Sequence, residues 1–180
     1  MTQLPSWNRR ALWRALPAAL VVIAAIAPPG CKPKSSAGPT ALAPIIRMGD
    51  PRAATQLLKG FYGIEAGEWR WTARQFNVLL RAPAGAGQNG ATVDFRLTAT
   101  GPVIAKLGQI TLTGSVGGKT LHTETYSSPG DQAFVFDVPP AMLGNESVEI
   151  DFELDRVMPP NPPEMRELGV VAHSIVLRSK

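Results

Sequence analysis

Apolar and polar residues alternate with a period of two through most of the chain that follows Gly60. In residues 91–100, ATVDFRLTAT, the apolar side chains Val93, Phe95 and Leu97 fall on one face, and charged or hydroxyl side chains fall on the other. The same alternation recurs in QITLTGSV, QAFVFDV and SVEIDFELDRV. Successive side chains of a strand point to opposite faces, so this period is typical of antiparallel strands buried on one side. The chain is therefore predicted to be mainly β-structure.

The turns between these segments indicate how the strands connect. Gly117 and Gly118 separate QITLTGSV from KTLHTETY, and a glycine pair of this kind suits a two-residue hairpin. The segments QFNVLLRAP (75–83) and VVAHSIVLR (170–178) bring the set to about eight strands, and the glycine-rich GAGQNG (85–90) is expected to be a loop. Short strands with Pro and Gly punctuation predict a two-sheet antiparallel β-sandwich of jelly-roll type.

One short helix is expected before the strands. In GDPRAATQLLKG, Asp50 suits an N-cap, Pro51 the first helical position and Gly60 a left-handed end, which predicts a helix from Pro51 to Lys59. Residues 32–49 are rich in Pro, Ser, Ala and Gly and show no periodicity. The predicted organisation is an export signal over 1–30, a flexible tether over 31–49 and the β-sandwich domain over 50–180.

The first 30 residues have the parts of an export signal. The basic segment NRRALWR precedes an apolar run of 13 residues, 15–27, which is short for a membrane span of about 20 residues. An uncleaved membrane anchor is the alternative. The only cysteine, Cys31, follows this run, and its place resembles a bacterial lipoprotein signal in which the cysteine is acylated; the other interpretation is an incidental cysteine. The first interpretation implies an exported protein, membrane-anchored in the bacterial cell envelope at the periplasm or cell surface.

The charge distribution excludes a nucleic-acid partner. The chain carries a formal net charge of +4, but three of its arginines lie within the first 14 residues. From Thr55 onward there are 11 basic and 13 acidic residues. A domain with this balance has no electrostatic basis for binding a phosphate backbone.

The sequence names no catalytic constellation, metal site or cofactor site. Its two histidines, His122 and His173, lie on separate strands, and the alternation of His173 with Val171 and Ile175 places it inward. No zinc-ligand spacing or phosphate-binding glycine motif is present. The acidic residues of SVEIDFELD, spaced by two, are interpreted as the solvated face of one strand; a calcium site there needs oxygen ligands from other segments. The chain is therefore predicted not to be an enzyme.

Two tryptophans in GEWRWT raise a separate question. On a strand, Trp69 and Trp71 share one face, whereas Arg70 and Thr72 share the other. The indole pair is either buried in the core of the sandwich or exposed as a platform on which sugar rings pack. Arg70 then points away from both rings and is available to a carboxylate such as Glu65.

This stretch resembles part of a known domain type. The pattern G-F-Y-x-x-E-x-x-x-W-R-W-T at 60–72, the strands and the late R-E-L-G at 166–169 are similar to the β-sandwich domain that accompanies some bacterial glycosyltransferases of envelope polysaccharide synthesis. The resemblance runs from about Gly60 to Leu177 and implies a carbohydrate-binding-like fold. Relatives often have an acidic residue and a proline before the arginine, where this chain has Glu164 and Met165.

An unpaired charge within a folded segment is costly, so Arg70 and Arg166 are expected to find partners, with Glu65 and Glu167 as candidates. If the two motifs meet in space, their charged groups form one cluster that either closes the sandwich or lines a ligand cleft. The candidate ligand-binding residues are Glu65, Trp69, Arg70, Trp71, Arg166 and Glu167.

These expectations lead to three hypotheses about function. The first is a non-catalytic envelope protein that recognises polysaccharide or a glycan-processing protein partner. The second is a structural or assembly lipoprotein that contacts only proteins. The third, a glycan-modifying enzyme, requires two carboxylates that folding brings together.

Overall fold

The computed structural model describes residues 41–143 and 146–180, so the predicted export signal, Cys31 and residues 32–40 of the predicted tether lie outside the described residues. The described part is mainly β-structure. In chain order its strands are β1 (Ile45–Arg47), β2 (Leu57–Phe61), β3 (Arg70–Arg81), β4 (Ala91–Ala99), β5 (Ile110–Val116), β6 (Lys119–Tyr126), β7 (Gly130–Val138), β8 (Ser147–Leu154) and β9 (Val171–Ser179).

The strands form two antiparallel sheets that share β3. Sheet A has the order β7-β4-β9, and the other edge of β9 pairs with β1 and then with Arg70 and Trp71 of β3. Sheet B has the order β6-β5-β8-β3-β2. The long strand β3 therefore leaves sheet A at its beginning and joins β8 of sheet B from Gln75 onward.

The core lies between the two sheets and is built from the alternating apolar residues. Val93, Phe95 and Leu97 of β4 are fully buried, as the period of two predicts. Five phenylalanine rings pack together at the centre, with neighbouring ring centroids 5.1 to 6.4 Å apart; they are Phe76, Phe95, Phe134, Phe136 and Phe152. The predicted all-β sandwich of jelly-roll type is confirmed, as is the hairpin at Gly117 and Gly118, where Val116 pairs with Lys119.

The predicted helix over Pro51–Lys59 is too long. A 3₁₀-helix covers only Pro51–Thr55, with Asp50 accepting a hydrogen bond from the backbone of Arg52, and β2 then begins at Leu57. Gly60 has the predicted left-handed φ of 77°, but it lies in a β-bulge between β2 and β3. A Cβ atom there would lie 2.7 Å from Cβ of Phe76, so the close approach of β3 requires glycine.

The folded domain begins earlier than position 50. Residues Ile45–Arg47, within the predicted tether, form β1 and pair with β9. Ile46 and Met48 are completely buried. The composition of this segment is that of a linker, but its two inward side chains belong to the core.

Short helices fill two connections. GAGQNG, predicted as a loop, contains the single helical turn α1 (Ala86–Asn89) between β3 and β4. The helix α2 (Gly101–Leu107) connects β4 to β5, with Pro102 in its first turn and Gly108 after its end, and the alternation pattern did not predict it. Among the residues that the structure describes, no helix is long and apolar enough to cross a membrane.

The outer face of sheet B is polar. The acidic side chains of β8 lie on it, as predicted, and the amides of Gln75 and Asn77 on β3 donate hydrogen bonds to them. On the other side of β8, hydroxyl groups of β5 and β6 form cross-strand pairs, among them Thr111 with Thr125 at 3.0 Å. The residues that the structure describes include no group of acidic, histidine or cysteine side chains arranged to hold a metal ion.

Candidate functional site

The two motifs that carry the family resemblance meet at one end of the sandwich. Thr72, at the end of the first motif, donates a hydrogen bond from its backbone N–H to the carbonyl of Val170. Its own carbonyl accepts a hydrogen bond from the backbone N–H of Gly169. The hydroxyl of Thr72, which is completely buried, accepts a third bond from the backbone of Val170 at 3.1 Å. These bonds hold the start of β3 beside the segment that leads into β9.

Arg166 is the centre of the charged cluster at this end. Its guanidinium donates to Glu65 at 2.8 Å and to Glu164 at 2.7 Å, and it lies over the ring of Tyr62, 5.1 Å from the centroid. Each of the three charged side chains retains about a third of its exposure (33% for Arg166 and Glu65, 38% for Glu164). We call the four residues the Arg166 clasp, since they join the loop after β2 to the segment before β9.

The expected pairing of Arg70 with Glu65 is wrong. The Arg70 guanidinium donates to two backbone carbonyls, Met48 at 3.0 Å and Tyr62 at 2.8 Å, while Glu65 binds Arg166. Burial lowers the pKa of Arg70 from its ordinary value. Spacing along the chain did not show which arginine would bind Glu65. In the folded loop the carboxylate of Glu65 reaches Arg166, whereas Arg70 reaches the carbonyl of Tyr62.

Glu167 does not join the clasp either. Its carboxylate accepts a hydrogen bond from the backbone N–H of Arg74 at 2.9 Å, which ties the late motif to β3. Sequence reasoning missed Glu164 and Tyr62 as members of the cluster. A signal for Glu164 was present, because an acidic residue two positions before an arginine in a proline-rich turn is placed to pair with it.

Trp69 and Trp71 form an edge-to-face pair, with ring centroids 6.1 Å apart and planes at 86°. Both rings are half-buried. Trp71 packs against the edge of the core, whereas Trp69 is not among the described residues that contact it. The pair is thus neither a core element nor a fully exposed platform.

The loop that presents the tryptophans is a closed hairpin. Tyr62 donates its backbone N–H to Trp71 at 3.0 Å, and Glu65 donates to Trp69 at 2.8 Å. Ala66 and Gly67 at its tip both have left-handed φ values, 50° and 74°. Because Glu65 is fixed by Arg166, the clasp also fixes the loop on which Trp69 sits.

The clasp has a marked effect on one carboxyl group. Hydrogen bonds from the side chain and backbone of Arg166 lower the pKa of Glu164 to about 2 from an ordinary value of 4.5. The same pairs raise the pKa of Arg166, with Glu164 the larger contributor and Glu65 the smaller. Burial raises the pKa of the neighbouring Tyr62 hydroxyl.

We expect the substitution Arg166→Met to raise the pKa of Glu164 toward 4.5, since the guanidinium is the main cause of the low value. In the native protein the pKa is lower in the folded than in the unfolded chain. Glu164 therefore contributes stability above about pH 4.5, and this contribution is lost as the pH falls toward 2. NMR titration of the glutamate carboxyl groups measures the shift directly.

The matched control is Arg156→Met, which removes a surface pair with Asp155 and leaves the clasp intact. The pKa of Glu164 should not change in that variant. A pKa that stays near 2 in Arg166→Met would assign the effect to the backbone N–H of Arg166, which also donates to Glu164 at 2.9 Å.

Neither histidine belongs to the clasp; both lie on strands. His122 on β6 packs its ring against Phe134, with centroids 4.9 Å apart. The expectation that His173 points inward is wrong. The pairing of β4 with β9 contains a bulge at this residue, and His173 is half-buried with its Nε2 atom 2.8 Å from the Thr98 hydroxyl.

No family model matches the chain, and no curated protein matches it in sequence. A solved structure described as "CBM4 structure and function" is similar in fold at 15% identity and a TM-score of 0.35, covering 77% of this chain and 89% of that one.

Proposed function

We propose that this chain is an exported, lipid-anchored protein of the bacterial envelope, without catalytic activity, whose β-sandwich binds polysaccharide or a glycan-processing partner. The observation that supports glycan binding is the position of Trp69. Its large aromatic ring is half-buried, packs on Trp71 and lies outside the core. Flat aromatic faces are suited to the apolar faces of sugar rings.

The clasp supports the same proposal by making the loop rigid. Arg166 has its guanidinium occupied by Glu65 and Glu164, and Arg70 by two carbonyls. Neither arginine then offers a charge to a ligand; both hold the segment 62–69 in place. In this proposal Arg70, Arg166 and Glu65 position the loop, Glu167 ties the late motif to β3, and the tryptophans contact the glycan.

Loss of the Trp69 ring should weaken glycan binding in a protein that still folds. We expect Trp69→Ala to reduce affinity about tenfold or more, since stacking on one aromatic ring contributes on the order of 1–2 kcal/mol. The measurement is a glycan array followed by calorimetry with the full chain, beside a thermal melt. Trp71→Ala is a poorer test because Trp71 also packs on the core. Unchanged binding by the folded Trp69→Ala variant would remove the tryptophan from the site.

The anchor has its own test. Cys31 is the only cysteine, so Cys31→Ser removes the sole acylation site of this type. We expect the variant to leave the membrane fraction, and mass spectrometry should show that the acyl-chain mass is lost with the cysteine. Retention of the variant in the membrane would contradict a lipid anchor at Cys31.

A structural or assembly lipoprotein that contacts only proteins is the second candidate. Met165 is 68% exposed beside the clasp, and Leu58 on the edge strand β2 is 47% exposed. Exposed apolar side chains of this size suit a protein contact. Loss of a protein partner in Met165→Asp, in a chain that binds no glycan, would favour this function.

A further inference from the structure

The outer face of sheet A contains an irregularity centred on His173. Arg96 of β4 pairs with Ser174 of β9, and the next residue, Leu97, pairs with Ala172, so His173 has no partner in the register. The inward positions on either side are Ala172 and Ile175, both fully buried. His173 and Ser174 therefore both lie on the outer face, where a regular strand would present only one of them.

Hydrogen bonds fix the direction of the His173 ring. Thr98 donates its hydroxyl hydrogen to the carboxylate of Asp131, and a hydroxyl has only one hydrogen to give. The 2.8 Å contact between Thr98 and Nε2 of His173 is then a bond that the imidazole donates. In the neutral ring Nδ1 is left as an acceptor, and within residues 41–143 and 146–180 it has no hydrogen-bond partner.

Two cavities meet at this ring. One, about 480 Å³, lies between His173, Arg96 and Asp131 on the side of β7. The other, about 500 Å³, lies between His173, Ser174, Arg47 and the Gly67–Glu68 end of the tryptophan loop. Each volume is within the range of ligand sites, roughly 300–1,000 Å³. Both are open at the surface of sheet A and both are lined by His173, and we call the two together the His173 groove.

One side of the groove is formed by the loop that carries Trp69. In the register of sheet A, Asp131 pairs with Thr98, Thr98 with the buried Val171, and Val171 with Trp71, so these four residues form one row across the sheet. Glu68, which lines the second cavity, directly precedes Trp69. The outer face of sheet B, in contrast, has polar residues across its strands and no tryptophan in its pairing register.

The charges of the groove indicate the class of ligand. It contains two arginines, Arg47 and Arg96, and three carboxylates, Asp50, Glu68 and Asp131. Two of these five charges are already paired, Arg96 with Asp94 and Asp50 with Arg52. A groove with both signs of charge, hydroxyl groups and an imidazole acceptor suits ligands that donate and accept hydrogen bonds without carrying a charge.

We propose that the His173 groove binds a segment of neutral polysaccharide, with sugar hydroxyls on Asp131, His173 and Ser174 and one sugar ring on Trp69. This inference rests on the proposed glycan-binding function and extends it to a defined surface and ligand class. An acidic polysaccharide is disfavoured, because among the described residues the groove has two carboxylates outside any salt bridge, Glu68 and Asp131, against one such arginine, Arg47.

The test uses the full chain and soluble oligosaccharides of neutral glucan, neutral mannan and acidic galacturonan, with affinity measured by calorimetry. Asp131→Asn and Ser174→Ala probe the two ends of the groove. Each should reduce affinity for a neutral oligosaccharide by roughly five- to tenfold, the effect of losing one good hydrogen bond. Thr123→Val, on the outer face of sheet B, is the matched control and should leave affinity unchanged. NMR shift mapping on the unmodified protein locates the site even if a groove variant fails to fold.

The outcomes separate this inference from the proposed function. Neutral-glycan binding that weakens in the groove variants and shifts resonances of β4, β7 and β9 supports both. Neutral-glycan binding that maps elsewhere, or survives both groove substitutions, overturns the groove and leaves glycan recognition standing. Binding of galacturonan alone overturns the neutral ligand class. Binding of no oligosaccharide overturns the proposed function, and the groove with it.

Discussion

Gly169→Ala should destabilise the domain by about 2–4 kcal/mol and lower its melting temperature by roughly 10 °C. A Cβ atom at position 169 would lie 2.7 Å from the hydroxyl oxygen of Thr72 and 3.1 Å from the carbonyl oxygen of Ala73. The Thr72 side chain cannot rotate away without breaking its hydrogen bond with the backbone of Val170. The side chain of Leu154, which would also clash with the new Cβ atom, is fully buried. The methyl group therefore forces the two motifs apart.

Gly63→Ala is the matched control, because Gly63 lies in the first motif and a Cβ atom there meets nothing within 4 Å. The free energy of unfolding of that variant, measured in urea, should lie within about 0.5 kcal/mol of the native value. If Gly169→Ala is as stable as Gly63→Ala, the junction between the motifs is not closely packed and the role assigned to Thr72 is wrong.

Phe152→Ala should have a comparable or larger effect, about 3–5 kcal/mol. Phe152 belongs to β8 in sheet B and stacks on Phe76, with centroids 5.1 Å apart and planes at 14°. It also contacts Phe95 of sheet A at 5.1 Å. Its removal leaves a cavity between the sheets that neither strand can fill by moving, and urea unfolding monitored by circular dichroism measures the loss.

Met165→Ala removes a large apolar side chain that is 68% exposed and serves as the comparison. Its expected cost is within about 0.5 kcal/mol. A cost for Phe152→Ala below about 1 kcal/mol would mean that the aromatic cluster does not join the sheets.

Strands buried on one face could be predicted from the sequence because the hydrophobic effect acts on alternate residues. Val93, Phe95 and Leu97 are examples in which pattern and burial agree. Strands at the edges gave no such signal. In β2, Leu58 is 47% exposed and two register shifts interrupt the pairing with β3, so the alternation of apolar and polar residues is weak there. The capping residues Asp50, Pro51 and Gly60 therefore led to the prediction of a helix.

Gly60 shows why local signals are ambiguous. Its left-handed conformation was predicted from its residue type, and that conformation serves a helix end and a β-bulge equally well. The neighbour that decides between them is Phe76, which is 16 positions along the chain and meets Gly60 only after folding. His173 was misplaced for a related reason, since a bulge reverses inward and outward positions without any change in composition.

The candidate site was predictable as a meeting of two motifs but not in its pairing. Unpaired charges are costly in a folded domain, so Arg70 and Arg166 had to find acceptors. Two carbonyl oxygens accept the hydrogen bonds of Arg70 in place of a carboxylate, and the sequence does not show where the carbonyls of Met48 and Tyr62 point. The backbone path therefore determines which arginine receives Glu65.

The position of β9 has a consequence for the order of folding. This strand follows all the others in the sequence, yet it pairs with β1, β3 and β4 and forms the interior of sheet A. Before residues 171–179 are synthesised, β1, β3 and β4 lack the strand that joins them in sheet A. Contacts of such wide sequence separation form late and slowly, because loop closure is entropically costly. The domain therefore completes its fold only after synthesis has passed β9.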